Sequence, residues 1–360
     1  AQWNTPGKAW HGTFRRSPTE SDPSSDARMW IDYDPNWRQF IGSVLVLLLR
    51  LEGDGILAEQ ADAMRAAVKL SVQGEPVDRV PPTYTNIALM RAWLETETAE
   101  LLGDQYRSRA LKYARLIADK FDQYGTFPEY NSPTYYGINL YALGLWQHYS
   151  REPELNELGN RISSSLWQDM ARFYHPMMKN FCGPWSRSYG KDMQQYVAAA
   201  GLWIWSTVGE QHAPFPMAGL KNGSMHHAHD FALGPLAAIT ATPPPADIAG
   251  HFVESGDGSN YTGHNFSQVI TDSPSRVAHA WLTPTLMAGL ETSDVSFRGN
   301  DQYHPCTLHW LHDGAVHWLR LRFAGRLQGT IKDGSIVLKL IPDAGVTQCL
   351  WQSSDPLTIT

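Results

Sequence analysis

Cysteine is scarce in this 360-residue chain, which has only Cys182, Cys306 and Cys349. Three cysteines cannot all pair, so a disulfide scaffold is excluded; the expected bridge is Cys306–Cys349, with Cys182 left free. No Cys/His cluster has zinc-binding spacing, so a thiolate metal site is unsupported. Long apolar runs are missing too. The longest, Phe40–Leu51, is too short to span a bilayer and contains Arg50, so no membrane partner is expected. Positive charge is in deficit: the formal net charge of −7 argues against a nucleic-acid partner. A few local Arg and His residues could still set the field of one cleft, which leaves an anionic substrate open. No signal peptide or initiator Met is present, and the chain reads as a mature, processed product. No repeat of fixed period is visible.

Aromatic residues are abundant, with 14 Trp, 15 Tyr and 12 Phe. Rings at this density suit either an aromatic-rich core or a carbohydrate cleft, where the apolar face of a sugar packs on a ring. Three N-x-[S/T] triplets, at Asn222, Asn260 and Asn265, lie in the C-terminal half. They fit a secreted, N-glycosylated protein, expected as a monomer.

Along the chain, residues 1–35 lack periodicity, and Phe14 to Arg28 reads as an exposed polar lead-in. Helical spacing then holds for about half the chain. Phe40–Leu51 is apolar nearly all round and predicts a buried helix. A second helix carries Leu57, Ala61, Met64 and Val68 and stops at Gly74. Further helices are marked by Ile87, Met90 and Leu94, by Tyr106 to Phe121, by Ile138, Tyr141 and Leu145, and by Leu155 to Met170. A seventh is predicted from Met193 through Trp203. Near Thr240 a Pro-rich stretch marks a boundary, and Asp313-Gly314 and Asp333-Gly334 are hairpin signals between β-rich runs. The expected organisation is α+β and multidomain. It comprises a lead-in (1–35), an incomplete α/α toroid of helical hairpins (36–245) and an antiparallel, sandwich-like β-sheet region (246–360).

Two stretches between helices hold more chemistry than a connection requires. Asp122 to Tyr149 contains Glu129, Tyr130, Asn131, Ser132, Thr134, Tyr135 and Tyr136. Asn180 to Gln195 contains Trp185, Arg187, Tyr189 and Asp192. These loops are expected to face each other across a cleft. His175 is a further candidate, and M-H-H-A-H-D (Met225–Asp230) supplies His226, His227, His229 and Asp230. Each has a plainer alternative. Tyr135 and Tyr136 could pack an interior, Asn131 before Ser-Pro could make an Asx turn, His175 before Pro176 could be an ordinary loop residue, and the His tract could be surface. No cofactor is expected; a structural cation near His229 and Asp230 is the minority alternative. The histidines from His251 to His317 are assigned to no site, although His264 beside Asn265 could reach a cleft rim.

This inventory suits removal of the proton α to a uronate carboxylate. That proton is barely acidic until the carboxylate is neutralised, so an Asn/Arg/His clamp is the larger requirement and a Tyr base/acid follows. The segment G-T-F-P-E-Y-N-S-P-T-Y-Y-G (Gly125 to Gly137) resembles the catalytic segment of toroid-type polysaccharide lyases acting on hyaluronate, chondroitin or alginate. Gly125-Thr126-Phe127 matches their G-S-F turn, Tyr135 or Tyr136 before Gly137 matches their catalytic Tyr, and Ser186-Arg187 matches their S-R element. Asn86 is the candidate for their helical-hairpin Asn. Asn131 or Tyr130 stands near where the family has His, so the base would be His175, a histidine of the tract, or a Tyr alone.

The resemblance implies a secreted lyase acting by β-elimination on an acidic, 4-linked uronate polysaccharide or oligosaccharide. Tyr135, Tyr136 or Tyr189 would transfer protons. Asn131, Arg187, His175 and Asn86 would act on the carboxylate, with Glu129, Tyr130, Trp185, His226 and His227 binding substrate. An α/α-toroid hydrolase using Glu129 and Asp192, a uronate epimerase and a non-catalytic carbohydrate-binding protein are the alternatives.

Overall fold

A computed structural model describes the chain except for residues 1, 53–54, 56–57, 216–224, 254–260, 297–301, 333, 344–348 and 355–360. Leu57, Asn222, Asn260 and Asp333, which carried expectations above, lie outside the described residues. Helices precede an antiparallel sheet, so the chain is mixed α+β. It divides into two compact units, 1–120 with 142–161, and 121–141 with 162–360. This division does not follow the boundaries expected at 35 and 245.

In the first unit, α1 (Trp37–Glu52), α2 (Ala61–Gln73) and α3 (Thr85–Leu102) pack on one another. α4 (Asp104–Tyr124) and α6 (Pro153–Phe173) each begin here and end in the second unit. α3 is the helix buried nearly all round, with Leu89, Trp93 and Leu94 inside. α1, expected in that role, buries only one face, where Arg38 and Gln39 are as enclosed as Val46 and Leu47. Arg38 is tolerated because its guanidinium donates to the carbonyls of Ala9 and His11 and faces Glu75 at 3.6 Å.

Those same bonds correct the reading of residues 1–35 as a lead-in. Trp3, Trp10 and Tyr33 form a buried cluster, while residues 6–9, 16–19 and much of 21–32 remain exposed. α2 ends at Gly74 as expected. A Cβ there would lie 2.3 Å from the His11 carbonyl oxygen, so the glycine permits close approach of two backbones rather than an unusual φ.

The second unit contains α5 (Tyr136–Gly144) up to Tyr141, the end of α6, the short hairpin β1 (Tyr174–His175) and β2 (Asn180–Phe181), then α7 (Ala199–Val208). α7 starts later than the periodicity of Met193 to Trp203 predicts. Asp192 Oδ1 accepts from the Gln194 amide, Asn180 Oδ1 accepts from the Met193 amide, and Val197 N–H bonds the His226 carbonyl. These side-chain and bridge partners satisfy the backbone without a helix.

α8 (Gly234–Thr240) and α9 (Ala246–Val253) follow, so the Pro-rich link precedes a further helix, and the main sheet begins only at His264. The main sheet has the order β10-β7-β6-β5-β4-β3, all antiparallel. Its strands are β3 (His264–Asp272), β4 (Ser275–Leu282), β5 (Leu286–Ser293), β6 (Cys306–His312), β7 (Ala315–Phe323) and β10 (Cys349–Ser353). β8 (Gly325–Lys332) and β9 (Ser335–Pro342) pair as a separate hairpin. Leu290, Leu321 and Phe323 of the main sheet share a core with Leu327, Ile336, Leu338 and Leu340 of that hairpin.

Both hairpins pair where the sequence places them. Asp313 and Gly314 have φ of 50° and 75°, the paired positive values that a type I′ turn requires. β8 and β9 pair as far as Lys332 and Ser335, which flank the second expected turn.

The Cys306–Cys349 bridge is not formed, and all three cysteines are free. Cys306 opens β6 and Cys349 opens β10, with β7 between them. Two strand spacings are about 9–10 Å, beyond the roughly 7 Å that a disulfide spans between Cα atoms.

α5 and α7 meet at a glycine. A Cβ on Gly137 would lie 2.2 Å from the Ala199 carbonyl carbon, and the Ala200 amide bonds the Pro133 carbonyl beside it. Gly137→Ala is therefore expected to destabilise the fold by at least ~1–3 kcal/mol, as overpacking against backbone does. Urea unfolding measures this, and an unchanged midpoint would refute the contact.

Candidate active site

The two chemistry-rich loops are stitched directly together rather than separated by a cleft. Asn131, at φ 41°, points its amide into the second loop, where Nδ2 donates to the carbonyls of Cys182 (2.7 Å) and Pro184 (2.8 Å). Ser132 Oγ donates to the Arg187 carbonyl at 2.6 Å and also accepts from the Tyr135 amide, which starts α5. Ser186 Oγ donates to the Tyr130 carbonyl, and the Tyr189 amide donates to Thr134 Oγ1.

The sheet holds the second loop from its other side. Trp185 and His304 exchange backbone hydrogen bonds, and the Ser188 amide donates to the Gln302 carbonyl. His304 Nε2 bonds the Ser188 carbonyl and His309 Nε2 the Lys191 carbonyl, with the Trp185 indole against both rings.

This registration brings five partly exposed side chains together. The Arg187 guanidinium donates to Glu129 Oε1 (2.9 Å), to Gln302 Oε1 (3.0 Å) and to the Tyr135 hydroxyl (2.8 Å). The Tyr135 hydroxyl lies 2.5 Å from that of Tyr189. The Tyr189 ring stacks parallel on the His227 imidazole, with centroids 4.1 Å apart. A phenol oxygen facing a guanidinium donor and a second hydroxyl can carry negative charge and pass a proton. Arg187, Tyr135, Tyr189, Glu129 and His227 thus form one contact chain. His226 is exposed beside it, its ring against His227 at 4.6 Å.

Other candidates lie elsewhere. Tyr136 is fully buried and donates to Asp169 Oδ2 at 2.7 Å; burial, then the neighbouring carboxylate, pushes its phenol well above the ordinary range. It cannot meet a polymer, and Tyr135 alone of this pair reaches the cluster. Tyr130 is likewise buried, donating to Glu291 with Arg276 over its ring. Asn131 is also fully buried, a loop clamp rather than a substrate group.

Trp185 is buried against histidines and offers no open platform. His175 is enclosed with both nitrogens engaged, Nε2 with the Thr283 carbonyl (2.7 Å) and Nδ1 with the Met178 amide (3.2 Å). A base role is incompatible with that. Asn86 sits in the first turn of α3, buried within the first unit. Asp192 is buried and committed to its turn and to Asn180 Nδ2, and burial raises its carboxyl; a hydrolase loses its second acid there. His264 bonds the Arg172 carbonyl and lines a cleft of about 480 Å³ with Arg172, Asp247 and His251, away from the tyrosine pair.

Gln302, His304, His309, Asp169 and Glu291 were not anticipated. His304 precedes β6 and His309 lies within it, five residues on, and nothing in that spacing names loop carbonyls as partners. His227, His229 and Asp230 are the one group suited to a metal ion among the described residues.

A family model described as a domain of unknown function (DUF8769) matches residues 1–242. No curated protein and no solved structure matches the chain.

The buried imidazoles set an acid sensitivity. Burial holds His175 and His309 at about 4 and His304 at about 3, against 6.5 when exposed. The folded state keeps them neutral while the unfolded chain takes up protons below about pH 6.5. Their stability contribution is therefore complete above pH 6.5 and is lost as the pH falls toward 4. Asp169, pushed up to about 6 by burial, acts in the opposite sense between pH 6 and 3.8.

Three groups outweigh one. Moving from pH 7.5 to 5 costs up to about 2 kcal/mol per histidine, with about 1 kcal/mol returned by Asp169. Urea unfolding at the two pH values should show this loss, and His309→Gln should flatten it by roughly a third. Equal slopes in variant and wild type would refute the assignment.

The matched segment covers residues 1–242 of 360, and the chain belongs to this family of unknown function (DUF8769).

Proposed function

We propose that the protein is a secreted polysaccharide lyase that cleaves an acidic, 4-linked uronate polysaccharide or oligosaccharide by β-elimination. The observation that carries this reading is the Tyr135 hydroxyl, placed 2.8 Å from Arg187 Nη2 and 2.5 Å from the Tyr189 hydroxyl. Such an oxygen is suited to take the C5 proton of a uronate, because the guanidinium stabilises negative charge on it and Tyr189 shares the proton. The electron pair of the C5–H bond forms the C4–C5 double bond, the C4–O bond breaks, and a tyrosine proton goes to the departing oxygen.

Arg187, the exposed His226 and the partly exposed His227 supply the positive or hydrogen-bonding side of the site, where the uronate carboxylate would be neutralised. Asn131 is reassigned here from carboxylate contact to loop positioning. Glu129 holds Arg187 in line, with side-chain exposures of 13% and 25% that keep the pair reachable by substrate. In this reading the helical hairpins belong to an incomplete α/α toroid, and the protein acts as a monomer.

No helix of the described residues is long and apolar enough to cross a membrane. Asn265, in an edge strand, is exposed and open to glycosylation.

Ultraviolet absorbance followed over time on a panel of uronate polysaccharides tests the reaction, since elimination leaves a conjugated double bond and hydrolysis does not. Absorbance should rise on at least one polymer. Tyr135→Phe should lower the rate by about 10²–10⁴-fold while substrate binding persists. New reducing ends without absorbance, or a fully active Tyr135→Phe, would sink the proposal.

A further inference from the structure

We propose that His227, His229 and Asp230 form a binding site for a single divalent transition-metal ion of the zinc class. From sequence alone a cation here is the minority alternative, because a short His tract is often just surface or cleft lining. The distances point the other way. Asp230 turns one carboxylate oxygen to each imidazole, Oδ2 at 3.6 Å from His227 Nδ1 and Oδ1 at 3.4 Å from His229 Nε2. Both are too long for hydrogen bonds, which close at about 2.7–3.2 Å. Each lies near the separation of about 3.3–3.6 Å between ligands bonded at about 2.0–2.2 Å to one ion, although the two distances use different carboxylate oxygens, so small side-chain rotations would draw one donor from each residue around a single ion. One donor atom from each residue falls within 4.8 Å of the others.

A second observation concerns His227 alone. Its Nδ1 is buried without a hydrogen-bond partner, although a buried polar atom ordinarily has one. A metal ion bridging to Asp230 supplies that partner. The residue also sits at φ 57°, ψ 33°, a left-handed conformation uncommon for a non-glycine residue. The preceding His226 carbonyl is fixed by the Val197 amide in a β-bridge, and the imidazole is stacked flat on Tyr189. This ligand is therefore oriented before any ion arrives.

Two imidazoles and one carboxylate select zinc, cobalt or nickel over calcium and magnesium, which favour all-oxygen sites. Three protein ligands leave a further coordination position for water or an anionic ligand.

The test uses the full chain without a histidine tag, stripped with chelator and titrated with Co²⁺, then Zn²⁺. One Co²⁺ per chain should bind, with the visible absorption of a low-coordinate nitrogen–oxygen site, and one equivalent of Zn²⁺ should displace it. His229 is exposed, so His229→Ala should fold normally and weaken binding by at least about 100-fold. Asp230→Asn should do the same, while the exposed-histidine control His312→Ala should bind as wild type. No Co²⁺ signal, or equal affinity in wild type, His229→Ala and Asp230→Asn, would overturn the site. The readout is binding, so it stands or falls apart from the lyase reaction.

Discussion

The Asn131 carboxamide is the constraint on which the rest of the second unit depends. Its two N–H bonds go to two carbonyls of a loop some fifty residues away, both inside the protein. A neutral hydrogen bond contributes only about 1 kcal/mol net, but a buried carbonyl left without a partner costs about 1–3 kcal/mol. The size of that second term makes the register of the loops a sharp choice. Arg187 and Tyr135 touch only in that register. The left-handed backbone at Asn131, a conformation that asparagine tolerates well, is part of the same arrangement.

Behind the loops, the sheet does the positioning that loops cannot do for themselves. His304 and His309 act as neutral donors to loop carbonyls, and burial keeps them neutral at the pH where the protein would work. The guanidinium of Arg187 and the carboxylate of Glu129 can then set the local field without competing imidazolium charge behind Trp185. Rigid strands supply the precision, and the loops supply the chemistry.

How much of this was legible depended on whether a signal was local. The helices, the two hairpin turns and the two rich loops were readable because period, caps and turn dipeptides act within a few residues. Tyr135, Arg187 and Tyr189 were readable as candidates for the same reason. Their separation from Tyr136, Tyr130 and His175 was not. Adjacent positions on a helix entry point in different directions, and only tertiary contact decides that Tyr136 meets Asp169 while Tyr135 meets Arg187. The buried aromatic cluster of residues 1–35 was missed because its anchors, Trp3, Trp10 and Tyr33, follow no period. The cysteine pairing failed because strand order cannot be read from spacing.

The neutral donors in and just before β6 also separate two boundaries that are easily taken for one. Recognisable family sequence ends at residue 242, yet Gln302, His304 and His309, which fix the loop carrying Arg187 and Tyr189, lie some sixty residues beyond it. The second unit runs continuously across that point, from 162 to 360. A gene trimmed to the matched segment would encode every reactive side chain of the cluster and none of its strand supports. Homology would be intact, and the constellation would keep the bonds between its two loops but lose its support from the C-terminal side.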